Sequence, residues 1–174
     1  MSEHTLLVEM SGDELIKQLN LEPHPEGGYY RQTYRSTEYI NRTTLPDRFA
    51  GDRAISTAIF YLLQQGDFSA FHRIKSDECW HFYSGGALVI HIIKHNGDYL
   101  HVKLGKNIRE GENFQYVVPA EAWFAVEPAP ETGFALTGCT VAPGFDFSDF
   151  EMGDKQTLLS LFPQHAWIIK RLTR

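Results

Sequence analysis

Cysteine is scarce in this 174-residue chain: only Cys79 and Cys139 occur, and they show no metal-knuckle spacing. In a reducing compartment they read as free buried thiols rather than a disulfide. Cys79 follows Glu78, points to the opposite strand face, and reads as a small core hydrophobe rather than a nucleophile. Cationic excess is also missing. A formal net charge of −6 argues against bulk electrostatic binding to nucleic acid. Long apolar runs are absent: the longest, Ala58–Leu63, has the length of a strand and falls far short of a bilayer span. The opening residues, MSEHTLLVEM, lack the basic start and small-residue cleavage site of a secretory signal, so a cytoplasmic protein without membrane contact is expected. There is no internal repeat and no low-complexity segment.

What is present is ordinary for a globular protein. Hydrophobic residues make up 43% and aromatics 13%, and the length suits one domain, residues 1–174, with a sizeable core. Ser11–Asn20 reads as a short amphipathic helix, capped by Ser11 with Glu14 at the capping-box position. LEPHPEGGYYRQTYRS, residues 21–36, is a Pro- and Gly-rich turn followed by a strand. In that strand Tyr30, Gln32 and Tyr34 oppose Tyr29, Arg31, Thr33 and Arg35. Residues 37–53 show no period and read either as a lid or partner contact or as a surface loop. From Ala54 to Val141 short strands alternate with turn signals, including the hairpin corner at Asn96-Gly97, which points to an all-β sandwich or barrel. PGFDFSDFE, residues 143–151, leaves the sheet with its acidic side chains expected to face solvent. Lys155–Leu161 and Pro163–Leu172 read as helices that cover the outside or one end of the barrel.

One stretch concentrates the chemistry: GDFSAFHRIKSDECWHFYSGG, Gly66–Gly86. Phe68, Ala70, His72 and Ile74 share one parity, and Glu78, Trp80 and Phe82 share another after a polar corner. His72 and Glu78 are therefore expected to face one interior from two strands. Polar groups converging inside an apolar wall require a partner, which is metal, substrate or each other. The bland alternative is a buried pair satisfied internally and by Arg73 or Lys75. Trp80 and Phe82 offer an apolar wall suited to a sugar face or a ring. Glu26, Tyr29 and Arg31 are candidates for the barrel mouth, with Arg31 able to grip an anion.

Gly66, His72, Glu78 and Gly85 match the first motif of the cupin superfamily: glycine, five residues, His-x-His, a short spacer, Glu, six residues, glycine. The wider pattern of PHPEGGYYRQTYRS, FHRIKSDECWHFYSG and VAPGFDFSDFE resembles a subgroup of uncharacterised small cupins, from about Leu21 to His165. The resemblance implies an all-β double-stranded β-helix, a jelly-roll barrel over about residues 27–151. Short terminal helices flank it, the C-terminal ones at about 155–172, and a homodimer is the family expectation. Two departures matter. Ile74 occupies the second histidine of the motif. In the second motif, expected at Pro119–Phe124, Glu121 replaces a glycine and Phe124 replaces the last histidine ligand. Cupin metal sites offer three histidines and a carboxylate, so no cofactor is expected here and a divalent metal is disfavoured.

The resulting expectation is a small-molecule-binding cupin, working as a metal-independent epimerase- or isomerase-like enzyme on a sugar derivative. His72 would be the general acid or base, Glu78 its partner, and Trp80, Phe82, Tyr29, Arg31 and Phe124 the ligand-binding set. The logic is similar to that of deoxysugar-epimerase cupins. The alternatives kept open are a non-catalytic sensory or storage-type cupin and a metal-dependent cupin enzyme, because fold does not fix function.

Overall fold

The computed structural model describes residues 10–174; the expectation about a secretory signal concerns residues 1–9 and lies outside the described residues. In chain order the elements are α1 (Gly12–Gln18), β1 (Glu22–Pro23), β2 (Tyr29–Arg35), β3 (Tyr39–Ile40), β4 (Arg53–Ala54), β5 (Thr57–Gln64), β6 (Ser69–Arg73) and β7 (Asp77–Gly85). They continue with β8 (Leu88–Ile93), β9 (Tyr99–Leu104), β10 (Gln115–Val118), β11 (Trp123–Pro128), β12 (Phe134–Ala142), β13 (Glu151–Met152), α2 (Lys155–Leu161) and α3 (Ala166–Arg171). A six-stranded sheet, β1-β2-β5-β12-β7-β10, faces a five-stranded sheet, β13-β6-β11-β8-β9, and the paired strands run antiparallel. This is the expected all-β jelly roll with short helices at its ends.

Alternation decides which side chains enter the barrel. Tyr61 and Leu63 on β5, Trp80 on β7, Ile90 and Ile92 on β8, and Phe124 and Val126 on β11 meet in the central core. The opposite face of the five-stranded sheet carries Phe71, Ile93, Trp123 and Ala125, covered by Leu158 of α2 and by Ile168, Ile169 and Leu172 at the C-terminus. Each of these aliphatic side chains contributes about 1.5–3 kcal/mol by leaving water. The C-terminal helices therefore cover the barrel's outside. On the far side α1 covers Leu62 and Leu136, and its reciprocal cap is formed: Ser11 Oγ accepts from the Glu14 amide at 3.3 Å and Glu14 accepts from the Ser11 amide at 2.8 Å.

Two expectations need correcting. The 37–53 connection contains β3, the start of β4 and a 3-10 turn at Arg42–Thr44, and it buries Leu45 and Phe49. The acidic residues of PGFDFSDFE do not all face solvent. Asp149 is buried and accepts from both Nε and Nη2 of Arg53 at 2.6 Å, tying that connection to the segment leaving β12. A buried carboxylate is tolerable only with such a partner, and breaking pairs of this kind is costly. Lys75 stands at 3.6 Å from the same carboxylate.

Candidate functional site

One end of the barrel opens into a cavity of about 300 Å³, within the range of small-molecule pockets. Its wall comes from four separate stretches of chain. Glu22, Tyr30, Gln32 and Arg35 come from β1 and β2, His24 and Glu26 from the turn between them, and Thr57, Ile59 and Tyr61 from β5. His72 comes from β6, Ile74 from the corner after it and Glu78 from β7, and Cys139 to Phe150 supply the rim through Phe145, Phe147 and Phe150. His72 belongs to the five-stranded sheet and Glu78 to the six-stranded sheet, so they reach the cavity from opposite walls.

His72 is buried, and its partner is Glu26 rather than Glu78: Nε2 lies 3.0 Å from Glu26 Oε2. The ring's other nitrogen, Nδ1, lies 2.8 Å from the Ala70 carbonyl. A carbonyl only accepts, so Nδ1 carries a proton. Exactness of address follows for the second proton too, since a lone pair cannot face a carboxylate at 3.0 Å: one proton sits between Nε2 and Oε2. Burial holds His72 down to about 4 and pushes Glu26 up, against the opposing influence of His24, Ser69 and Tyr61. Both directions favour the uncharged pair, with Glu26 protonated and donating to a neutral His72.

Glu26 enters the barrel because of the tight turn after it. Gly27 and Gly28 adopt φ of 118° and 68°, a region L side chains avoid. A Cβ at Gly27 would also collide with the Phe68 carbonyl. Tyr61 OH donates to Gly27 O at 2.7 Å, the Ala70 amide donates to Glu26 O at 2.8 Å, and Ser69 Oγ donates to Glu26 Oε1 at 2.9 Å. His24 Nδ1 accepts from the Glu26 amide at 3.3 Å, which places the proton of the neutral ring on Nε2. Burial lowers His24, and the nearby Glu26 works in the other direction.

Glu78 is 8% exposed, and its carboxyl faces the cavity with no hydrogen bond or ion pair among the described residues. Burial pushes it up to about 8, with Glu26 adding to the effect and the neighbouring Cys139 and Trp80 opposing it. Trp80 Nε1 is buried near it but makes no hydrogen bond of acceptable geometry.

The structure therefore brings His72 and Glu78 into one cavity. The expected ligand-binding set is elsewhere. Trp80 and Phe124 lie in the sealed core, with Phe82 packed against it, below the cavity floor. Phe124 packs on the His72 ring with centroids 4.1 Å apart. Tyr29 packs under α1, and Arg31 lies over Phe60, with its guanidinium carbon 5.8 Å from the ring centroid. Both are on the outer face of β2; the inner parity places Tyr30 and Gln32 on the wall. Arg73 and Lys75 are committed to Glu151 and Asp149. Sequence reasoning missed His24 as a wall residue and Glu26 as the partner of His72. The available signal was PHPEGG, where two successive glycines announce a turn too tight to be an ordinary surface loop.

The three-histidine cage implied by the motif resemblance does not fit these residues. Ile74 lines the cavity and Phe124 covers His72, both with carbon, and each nitrogen of His72 is already committed. Among the described residues no group of three or more His, Cys, Asp or Glu side chains is arranged to hold a metal ion. No helix among them is long and apolar enough to cross a membrane.

Comparison with known proteins gives consistent matches. The family profile described as cupin superfamily (DUF985) matches residues 13–153. An uncharacterized protein of Saccharomyces cerevisiae is 30% identical over 165 residues, covering 88% of this chain and 81% of its own. A hypothetical protein from Leishmania major superposes with a TM-score of 0.87 at 33% identity, covering 94% of this chain and 99% of the other. Protein SO0799 from Shewanella oneidensis gives 0.86 at 37% identity, covering 95% and 99%. Oxalate decarboxylase from Bacillus subtilis gives 0.53 at 16% identity over 86% of this chain and 36% of its own, a likeness of fold alone.

Proposed function

For a chain that belongs to the DUF985 family of the cupin superfamily, we propose that the barrel cavity binds a small polar molecule, foremost a sugar derivative, and moves protons on it without a metal. The observation supporting this is the placement of two acid/base groups on opposite walls of one cavity. The His72–Glu26 pair holds a proton at a fixed address, and burial pushes Glu78 up to about 8. Removal of a proton from one face of a carbon and its return from the other is what epimerisation or isomerisation requires. Glu78 is the group that exchanges a proton with the ligand from one wall, taking it up once ionised, and the Glu26–His72 pair holds the second proton on the opposite wall. Phe145, Phe147 and Phe150 keep the reacting end away from bulk water.

The test is exchange with solvent. Sugar derivatives with a proton next to a carbonyl, incubated with the protein in D₂O, are expected to gain deuterium at that carbon. Glu78→Gln and His72→Ala should each slow the gain by roughly 10²–10⁴-fold, the usual contribution of a positioned acid or base. Ligands that bind without any exchange would instead favour the non-catalytic binding cupin. The homodimer expected from the resemblance is supported by exposed apolar side chains on and beside the edge strand β10, namely Ile108, Phe114 and Val117.

A further inference from the structure

The cavity's charges are unevenly distributed. Glu22, Glu26 and Glu78 line it, against a single arginine, Arg35. That arginine is already engaged: Nε donates to Gln32 at 3.2 Å and Nη2 to the Phe145 carbonyl at 2.9 Å. At the deep end Glu78 is more than nine-tenths buried, and its carboxyl faces the cavity beside Cys139 and Trp80, with no ion pair and no hydrogen bond of acceptable geometry among the described residues. An anion placed there would be desolvated with no free cation among the described residues to pair with it. A neutral hydroxyl could only accept the proton the carboxyl keeps, an ordinary hydrogen bond that leaves the carboxyl un-ionised. A cation would satisfy it. Nearer the mouth the rings of Phe145, Phe147 and Phe150 stand edge to face around the opening, 5.0–6.4 Å apart, and offer apolar surface and ring faces to a cationic ligand's body.

We infer that the cavity selects a ligand carrying a protonated amine, with the ammonium seated on Glu78 and the carbon skeleton against the rim phenylalanines; on a sugar skeleton this is an amino sugar. The inference rests on the reading of the cavity as a ligand site and specifies its ligand. It also gives Glu78 its working state: the arriving ammonium displaces the carboxyl proton to solvent, so the base becomes charged only when substrate is bound. The other titratable groups facing this space are Glu22, His24, Glu26, Tyr30, Arg35, Tyr61, His72 and Cys139.

The test uses matched probes that differ in charge: glucosamine, glucose and glucuronate, and then cyclohexylamine, cyclohexanol and cyclohexanecarboxylate. Binding is read by calorimetry, and its location by the ring resonances of His24 and His72. The amine of each trio is expected to bind about tenfold or more tightly than the alcohol, the scale of a charge-assisted bond, and the acid weakest. Calorimetry at pH 7 in buffers of different ionisation enthalpy should show release of about one proton per amine bound. Glu78→Gln should abolish both the preference and the release, and an unchanged circular dichroism spectrum will show that this variant is folded. Equal or tighter binding of the neutral or acidic probes in the same cavity overturns the amine inference and leaves the cavity reading standing. Absence of binding by every probe overturns both. Amine binding without proton release overturns the assignment to Glu78, and this readout needs only the wild-type protein.

Discussion

Two buried histidines on the same sheet each face a glutamate at the same distance, and they do opposite things. His72 Nε2 lies 3.0 Å from Glu26, and His91 Nε2 lies 3.0 Å from Glu127. Both strands, β6 and β8, pair with β11. The second glutamate also accepts from Arg171 of α3 at 2.6 Å, and His91 Nδ1 meets the Tyr99 hydroxyl at 2.7 Å. A carboxylate already held by a guanidinium accepts from the imidazole, so His91 keeps its proton on Nε2 and accepts a hydrogen bond from the Tyr99 hydroxyl at Nδ1. That arrangement docks the C-terminal helix and leaves no proton to spare. Glu26 has no cation beyond the histidines, both partners are nearly sealed, and the ring's Nδ1 is spent on a carbonyl. The proton therefore rests on the acid, at the wall of a cavity. The distance between partners does not decide the role; the third group does.

The sharpest way to break this contrast is the pH dependence of stability. A carboxyl whose pKa is raised on folding binds more proton in the native state, so stability falls as pH rises from the unfolded value towards the folded one. For Glu78 that window runs from 4.5 to about 8. His72, depressed from 6.5 to about 4, works in the opposite sense, with stability rising between those values and no further change above 6.5. The fall should therefore emerge between about pH 6.5 and 8, at about 2 kcal/mol from Glu78. Urea unfolding at stepped pH measures it. Glu78→Gln should flatten most of the slope, and an equally steep slope in that variant would mean the cavity acids are not held protonated.

A smaller effect is expected at the docking pair. Glu127→Ala leaves His91 Nε2 without its acceptor and Arg171 without its anion. The cost should be about 1–2 kcal/mol in the same unfolding assay, with solvent exchange into bound ligands unchanged. A loss of exchange would show that the two pairs are not separate. The finest distinction costs no energy at all. Nitrogen-15 shifts of the neutral rings should place the His72 proton on Nδ1 and the His91 proton on Nε2. The same tautomer at both would dissolve the comparison.

Alternation and turn residues made the barrel legible from sequence, down to the helix at Lys155–Leu161, whose bounds agree residue for residue with α2. Parity also placed His72 and Glu78 towards one interior. It could not report depth. Trp80 and Phe82 share the inward parity of Glu78 and yet lie beyond the cavity floor, because a strand crosses the whole barrel and only its first residues reach the open end. Nor could parity choose the inner face of β2, since both of its faces are covered and both are aromatic. Tyr29 and Arg31 were as good a reading as Tyr30 and Gln32 until α1 was seen to pack on one side. Glu26 was named for the barrel mouth and lines the cavity, but its partners, like those of Asp149, were beyond local reasoning for another reason. Each is explained by a partner far along the chain, Ser69 at 43 residues and Arg53 at 96, and no period or motif carries that information.

The turn at Gly27-Gly28 has a bearing on descent. His72 and Glu78 travel together in one short motif, whereas the acid that binds His72 arrives from a segment ahead of the first long strand. A recombinant that keeps Gly66–Gly86 and exchanges everything before Tyr29 inherits both strand residues and the barrel around them, but not the proton donor. Ancestry traced through the motif alone and ancestry of the chemistry are then separate questions, and PHPEGG is the stretch by which the second should be followed.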